Sequence, residues 1–107
     1  MKSYVFDIDG TICTNTSGRY EAAKPIECRI KKINQLYNAG CTITLYTARG
    51  MGRHNNNQKL AIDHFYDLTK RQLDTWGVLY HNLFLGKPSG DIYIDDKGIS
   101  DEQFFGN

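Results

Sequence analysis

Short apolar runs, each ending in chemically active side chains and separated by segments of helical period, constrain this chain more than any other feature. Tyr4, Val5 and Phe6 lead into Asp7 and Asp9, and residues 41–46 lead into Thr47, Ala48 and Arg49. A shorter run over 82–85 precedes Gly86-Lys87-Pro88, and Asp91-Ile92-Tyr93-Ile94 precedes Asp95-Asp96. Between the first two runs Ile26, Ile30, Ile33 and Tyr37 recur at helical spacing, with Pro25 suited to a first turn and Gly40 to a stop. Between the next two, residues 58–76 place Ile62, Phe65, Thr69, Leu73 and Trp76 on one face, with Gly77 as the stop. Strands that alternate with helices need crossover connections, and crossovers build a parallel sheet covered by helices. The expected class is therefore α/β, a three-layer αβα sandwich around a small parallel Rossmann-like sheet. Strands are expected over residues 2–8, 41–46, 82–85 and 91–94, and the tail has room for one short helical turn near 100–104.

In such sheets ligands gather beyond the carboxyl ends of the strands. Every chemically interesting group here follows an expected strand, so the pattern gathers Asp7, Asp9, Thr47, Arg49, Lys87, Asp95 and Asp96 at one sheet edge. Asp7 and Asp9 stand one residue apart and share a face where the strand opens into Gly10-Thr11. Two carboxylates held close repel unless a cation or a shared proton intervenes. The pair reads as a hard-metal site, an acid/base pair, or both; an ordinary strand end with an Asp-Gly turn is the structural alternative.

Composition narrows the classes of function. The chain has 107 residues, with 40% hydrophobic and 23% charged, and a formal net charge of +1 at pH 7. That size suits one domain, and the balanced charge gives no electrostatic footprint for nucleic acid or an anionic membrane. No apolar stretch approaches the roughly 20 residues needed to span a bilayer, and Met1-Lys2-Ser3 enters a strand-like run without a secretory pattern. Cys13, Cys28 and Cys41 are odd in number and lack CxxC spacing, as expected of reduced thiols in the cytoplasm. Cys13, close behind the acidic pair, is expected to be an inert thiol.

Four carboxylates converging from two strands require a cation, and oxygen ligands select Mg²⁺ or Ca²⁺. With a lysine, a hydroxyl and loop amides they make a set suited to phosphate. Phosphoryl transfer asks chiefly for positioning and charge neutralisation.

These residues carry a resemblance. The chain resembles the phosphatases of the haloacid dehalogenase (HAD) superfamily: Asp7-Ile8-Asp9-Gly10-Thr11 matches the family's first motif, DxDGT. Thr47 matches the second motif, Lys87 the third and Asp95-Asp96 the fourth, in the right order over most of the chain. Leu45-Tyr46-Thr47-Ala48-Arg49-Gly50 and Ile94-Asp95-Asp96-Lys97 further resemble small phosphatases of capsule or surface-polysaccharide synthesis. The resemblance implies a single HAD-like catalytic domain over 1–107 that hydrolyses a phosphorylated small molecule with Mg²⁺. It implies Asp7 as nucleophile, forming an aspartyl-phosphate, and Asp9 as the acid/base. It implies Thr47 and Lys87 around the phosphoryl group; by their place beside Thr47, the Ala48 loop amide and the Arg49 side chain are expected to join them. Mg²⁺ would be held by Asp7, by the Asp9 backbone carbonyl and by the Asp95/Asp96 pair, with Asp96 as the direct ligand.

About 37 residues separate Asp9 from Thr47 and about 39 separate Thr47 from Lys87, both largely helix, so no cap domain fits. The site is then expected to be open, or covered by a neighbouring copy in a homo-oligomer. Arg53, His54 and Asn55 to Asn57, in the loop 50–57, and Arg19 with Tyr20, stand near its entrance, whereas His64 and His81 are expected to be structural. Two other readings stand beside it, one that also clusters acids, Thr and Lys around Mg²⁺ and one that keeps the fold without catalysis. A receiver-like signalling domain needs an Asp after its middle strand, where this chain has Thr47-Ala48-Arg49; a catalytically idle binding or assembly module needs none of the intact set.

Overall fold

The computed structural model describes residues 2–106. In chain order these form β1 (Ser3–Phe6), a 3₁₀ turn (Tyr20–Ala22), α1 (Glu27–Asn38), β2 (Thr42–Thr47), α2 (Gln58–Thr75), β3 (Asn82–Leu85) and α3 (Asp101–Phe105). The strands make one parallel sheet in the order β1-β2-β3. Phe6 lies beside Leu45, and Leu45 beside Leu83, so these side chains share a face. The α/β class and the parallel sheet are those expected from the sequence.

On that shared face Phe6, Ile43 and Leu45 pack with Ile30 and Ile33 of α1 and Leu73 of α2 in one core. Both crossovers step the same way across the sheet, and right-handed connections then place both helices on one side. The other side leaves Val5 65% and Phe84 55% exposed. The second covering layer of a three-layer sandwich is therefore not supplied by α1 or α2.

Both helices form where their apolar spacing places them. α1 starts after Pro25 and ends before Gly40, which takes φ +95°. α2 is capped by Asn57, whose side chain accepts the Leu60 N–H, and it buries Ala61, Phe65, Thr69 and Leu73 at four-residue steps. Ile62, expected on that face, is 42% exposed; the stripe drifts one residue and Ala61 takes the inner position.

The expected strand over 91–94 is not formed: Ile92 is 77% and Ile94 is 91% exposed. A parallel neighbour needs a crossover of about a dozen residues, and the stretch between Leu85 and Asp91 is shorter than that. The chain still regains its core afterwards. Phe104 of α3 meets Phe6 edge-on and Phe105 stacks on it, with ring centroids at 5.5 and 5.9 Å. The buried Arg29 fixes the start of α3 by a 2.6 Å bond to Asp101 and also donates to the Thr11 carbonyl. No helix among the described residues is long and apolar enough to cross a membrane.

Candidate active site

The first motif is set by a turn built on one carbonyl. Ile8 O accepts the N–H groups of Thr11 and Ile12, at 3.0 and 2.8 Å, while the Ile8 and Ile12 side chains are fully buried. Gly10 takes φ +84° within this turn, a conformation suited to glycine. With Ile8 locked inward, Asp7 and Asp9 are held at the carboxyl end of β1.

Asp7 faces the open edge. Lys87 Nζ stands 3.8 Å from its Oδ1, with the Asp7 side chain 37% exposed. The Thr11 hydroxyl donates to Asp7 Oδ2 at 3.4 Å. Burial pushes the Asp7 carboxyl above its ordinary value; the Lys87 charge and the Ile8 N–H pull it back only in part. Lys87 is placed by its own backbone, whose N–H donates to the Thr47 carbonyl at 3.2 Å. The Thr47 side chain is buried, and its Oγ1 accepts the Arg49 N–H at 3.1 Å. Asp7, Thr47 and Lys87 are thus tied together at the ends of three adjacent strands.

Arg49 turns away from this opening. Its guanidinium grips both oxygens of Asp9, from Nε at 2.9 Å and Nη2 at 3.0 Å. Its remaining nitrogen, Nη1, donates to Thr69 Oγ1 and Gln72 Oε1 of α2, and the group lies 4.9 Å from the centre of the Tyr20 ring. Arg49 is 1% exposed. A side chain expected to meet phosphate instead fixes the second carboxylate of the first motif, because the groups that fit its planar fork lie beneath the loop. Ala48 occupies the turn between Thr47 and Arg49, and its carbonyl accepts the Met51 N–H.

The sequence placed Thr69 on the inward face of α2 and Thr11 in the first motif without a site role for either, and Gln72 was missed. The available signal was a Thr and a Gln three residues apart on the inward face of α2, level with an arginine loop. Tyr20 does flank the site: it lies under Arg49, and its hydroxyl accepts the Gly50 N–H at 2.9 Å. Cys13 is fully buried and its thiol donates to Asp9 Oδ1 at 3.5 Å. Burial and the Asp9 charge push that thiol up to about 12.

Around the opening, Arg53 donates to the Gly18 carbonyl and Asn56 Oδ1 accepts the Ser89 N–H, so the loop 50–57 bridges the first and third motif loops. His54 and His64 share a 3.0 Å contact between ring nitrogens. His81 is structural, its Nδ1 accepting the Ile43 N–H at 3.0 Å. Tyr93 was not anticipated at the site; its ring lies 4.2 Å from Lys87 Nζ.

Asp95 and Asp96 are not brought to Asp7 and Asp9 within the chain. Both are exposed, and Asp95 accepts the Lys97 and Gly98 N–H groups of its own turn. Those two bonds hold its carboxyl below the ordinary value. Among the described residues no three or more His, Cys, Asp or Glu side chains are grouped to hold a metal. With Asp9 bonded to Arg49, Asp7 is the one first-motif carboxylate facing the opening. Mg²⁺ is usually held by one or two carboxylates, waters and substrate phosphate. A half-exposed hard-oxygen donor beside the Lys87 ammonium fits that ion, with one further carboxylate required.

The fold is HAD-like. The chain is similar to the crystal structure of an MCSG target from Vibrio cholerae, at a TM-score of 0.90 and 27% identity, covering 98% of this chain and 88% of that one. It is also similar to a D,D-heptose 1,7-bisphosphate phosphatase from B. bronchiseptica complexed with magnesium and phosphate, at a TM-score of 0.57 and 18% identity, covering 85% of this chain and 52% of that one. No protein-family model and no curated protein matches the chain.

Proposed function

We propose that the chain is a Mg²⁺-dependent phosphomonoesterase, one HAD-like catalytic domain that works through an aspartyl-phosphate on Asp7. The observation that carries the reading is the half-exposed Asp7 carboxylate 3.8 Å from Lys87 Nζ at the strand ends that Thr47 also occupies, with Asp9 fixed beside it by Arg49. The substrate class is a sugar phosphate or a related metabolite of surface-polysaccharide synthesis. The fold shared with a sugar-bisphosphate phosphatase supports the first part, and the Leu45–Gly50 and Ile94–Lys97 phrases support the second. Three cysteines, odd in number and without CxxC spacing, suit work in a reducing cytoplasm.

The proposed steps use these side chains in turn. A substrate phosphoryl group enters between Lys87 and the Thr47 hydroxyl, with the Ala48 amide as loop donor. An Asp7 oxygen attacks phosphorus and the bond to the ester oxygen breaks. That oxygen leaves with a proton from Asp9. Water then attacks the aspartyl-phosphate at phosphorus and returns a proton to Asp9, which frees inorganic phosphate and Asp7. Arg49 binds both Asp9 oxygens and the Cys13 thiol takes the second lone pair of Oδ1, so the proton rides on the remaining lone pair of Oδ2. Arg49 therefore positions the acid/base and does not bind substrate. Magnesium would be held by Asp7, the Asp9 carbonyl and a carboxylate of the Asp95/Asp96 pair, and would supply charge neutralisation and substrate orientation.

The test is hydrolysis of p-nitrophenyl phosphate. Turnover should require Mg²⁺ and fall to background in Asp7→Asn. Undiminished hydrolysis in that variant would remove Asp7 as nucleophile.

A further inference from the structure

Two halves of a missing strand pair face solvent. β1 is an edge strand: it pairs with β2 on one side, and among the described residues no backbone hydrogen bond reaches its other side. Ser3–Phe6 is apolar and strand-forming, and such an edge invites pairing with another chain. Meanwhile residues 91–94, Asp-Ile-Tyr-Ile, have strand composition and lie unpaired, with Ile92 77%, Tyr93 54% and Ile94 91% exposed. Large aliphatic side chains at that exposure, next to each other, mark an interaction surface.

The chain cannot join its own two halves. From Lys87, at the carboxyl end of β3, four residue steps reach at most about 14 Å. A fourth parallel strand outside β1 lies three strand spacings away, about 14 Å, and must begin about 10 Å lower to run beside a four-residue strand. Even a straight line through the sheet is then about 17 Å, and the real path around it is longer. The Tyr93 hydroxyl shortens the reach further by bonding back to the Pro88 carbonyl and the Gly90 N–H.

We propose that residues 91–94 of one copy add as a fourth parallel strand to the open edge of β1 in a second copy, and carry Asp95 and Asp96 to that copy's Asp7. A reciprocal exchange makes a closed two-fold dimer in which each active site draws on both chains. It covers Ile92 and Ile94, pairs the β1 edge, and adds the carboxylate that each site lacks. The second copy is the occupant that fits, because the strand is already written in this sequence and ends in the acidic pair the neighbouring site needs. The metal role of the delivered carboxylates rests on the phosphatase reading; the strand exchange does not.

Three measurements on the full chain test it. Sedimentation equilibrium should give twice the 12.2 kDa chain mass for the wild type. It should give the single mass for an Ile92→Asp/Ile94→Asp variant with an unchanged far-ultraviolet circular dichroism spectrum, since neither side chain is buried in the single chain. A wild-type monomer, or a dimer untouched by those substitutions, overturns the proposal. Asp7→Asn and Asp95→Asn/Asp96→Asn chains should each be inactive alone. Co-expressed in equal amounts, they should recover about a quarter of wild-type activity, because half the dimers are mixed and each mixed dimer holds one intact site. Mixed dimers, identified by mass, that stay inactive beside an active wild type overturn the shared site. A wild-type dimer that dissociates in the isoleucine variant but hydrolyses no phosphomonoester supports the exchange and counts against the phosphatase reading alone.

Discussion

At the scale of single residues, the site is two carboxylates with unlike surroundings. Asp7 is half-open beside Lys87, whereas Asp9 is gripped by a buried guanidinium. The Asp7 carboxyl is raised by burial, so its charge weakens the fold as pH rises through its folded value and costs nothing below the ordinary aspartate range. In the presence of a chelator, Asp7→Asn should therefore raise the melting temperature at neutral pH, and the gain should vanish in acid. A melting temperature lowered at neutral pH would contradict it. Arg49→Ala leaves Asp9, with 18% of its side chain exposed, without its partner. It should destabilise the fold by about 3–5 kcal/mol in urea titration. Arg49→Lys keeps the charge without the fork, so the expected result is a partial loss of stability and a larger loss of kcat. Thiol labelling separates the cysteines: iodoacetamide should modify the exposed Cys28 in the native protein and spare the buried Cys13 and Cys41 until unfolding. The sequence showed where Arg49 sits and not which way it reaches, because reach was decided by Thr69 and Gln72 on a different element.

Elements set these positions with little slack. Gly50, at φ +79°, turns the chain out of the second motif, and a Cβ there would sit 2.5 Å from Phe65 Cδ2 and 3.2 Å from Ala61 Cα. Gly50→Ala should cost about 2 kcal/mol of stability, by strain and by pushing α2 off Arg49. α3 depends on Arg29, which holds the Asp101 carboxyl below its ordinary value by a hydrogen bond and by its charge. A depressed carboxyl stabilises the fold above its unfolded value and loses that contribution as pH falls through the folded one. Wild type and Asp101→Asn should accordingly differ in melting temperature at neutral pH and converge in acid. The three strands that formed and both long helices were legible because period and punctuation agree locally: Ile30 and Ile33 bury as spaced, and Gly40 and Gly77 stop. The run over 91–94 has equal strand character and formed no strand. Strand character supplies half of a pair, and the connection from β3 is too short to reach a partner edge.

At the scale of the whole molecule, two helices on one face of a three-stranded sheet leave Val5 and Phe84 bare on the other. The four expected motifs divide accordingly. Three of them converge at the carboxyl ends of β1, β2 and β3, and the fourth stands apart on an exposed segment that a neighbouring copy can use. What the molecule does turns on whether Asp7 takes the phosphoryl group and Asp9 moves the proton. The Asp9→Asn variant separates the two steps, because p-nitrophenolate leaves without a general acid whereas water still needs a base. Steady turnover should drop by about 10²–10⁴-fold. The most direct measurement mixes this variant rapidly with p-nitrophenyl phosphate and Mg²⁺, quenches in acid and maps the phosphoryl group by mass spectrometry. The expected result is a stoichiometric burst of p-nitrophenolate with the phosphoryl group on Asp7; a phosphoryl group on any other residue, or turnover with none bound at all, would contradict it.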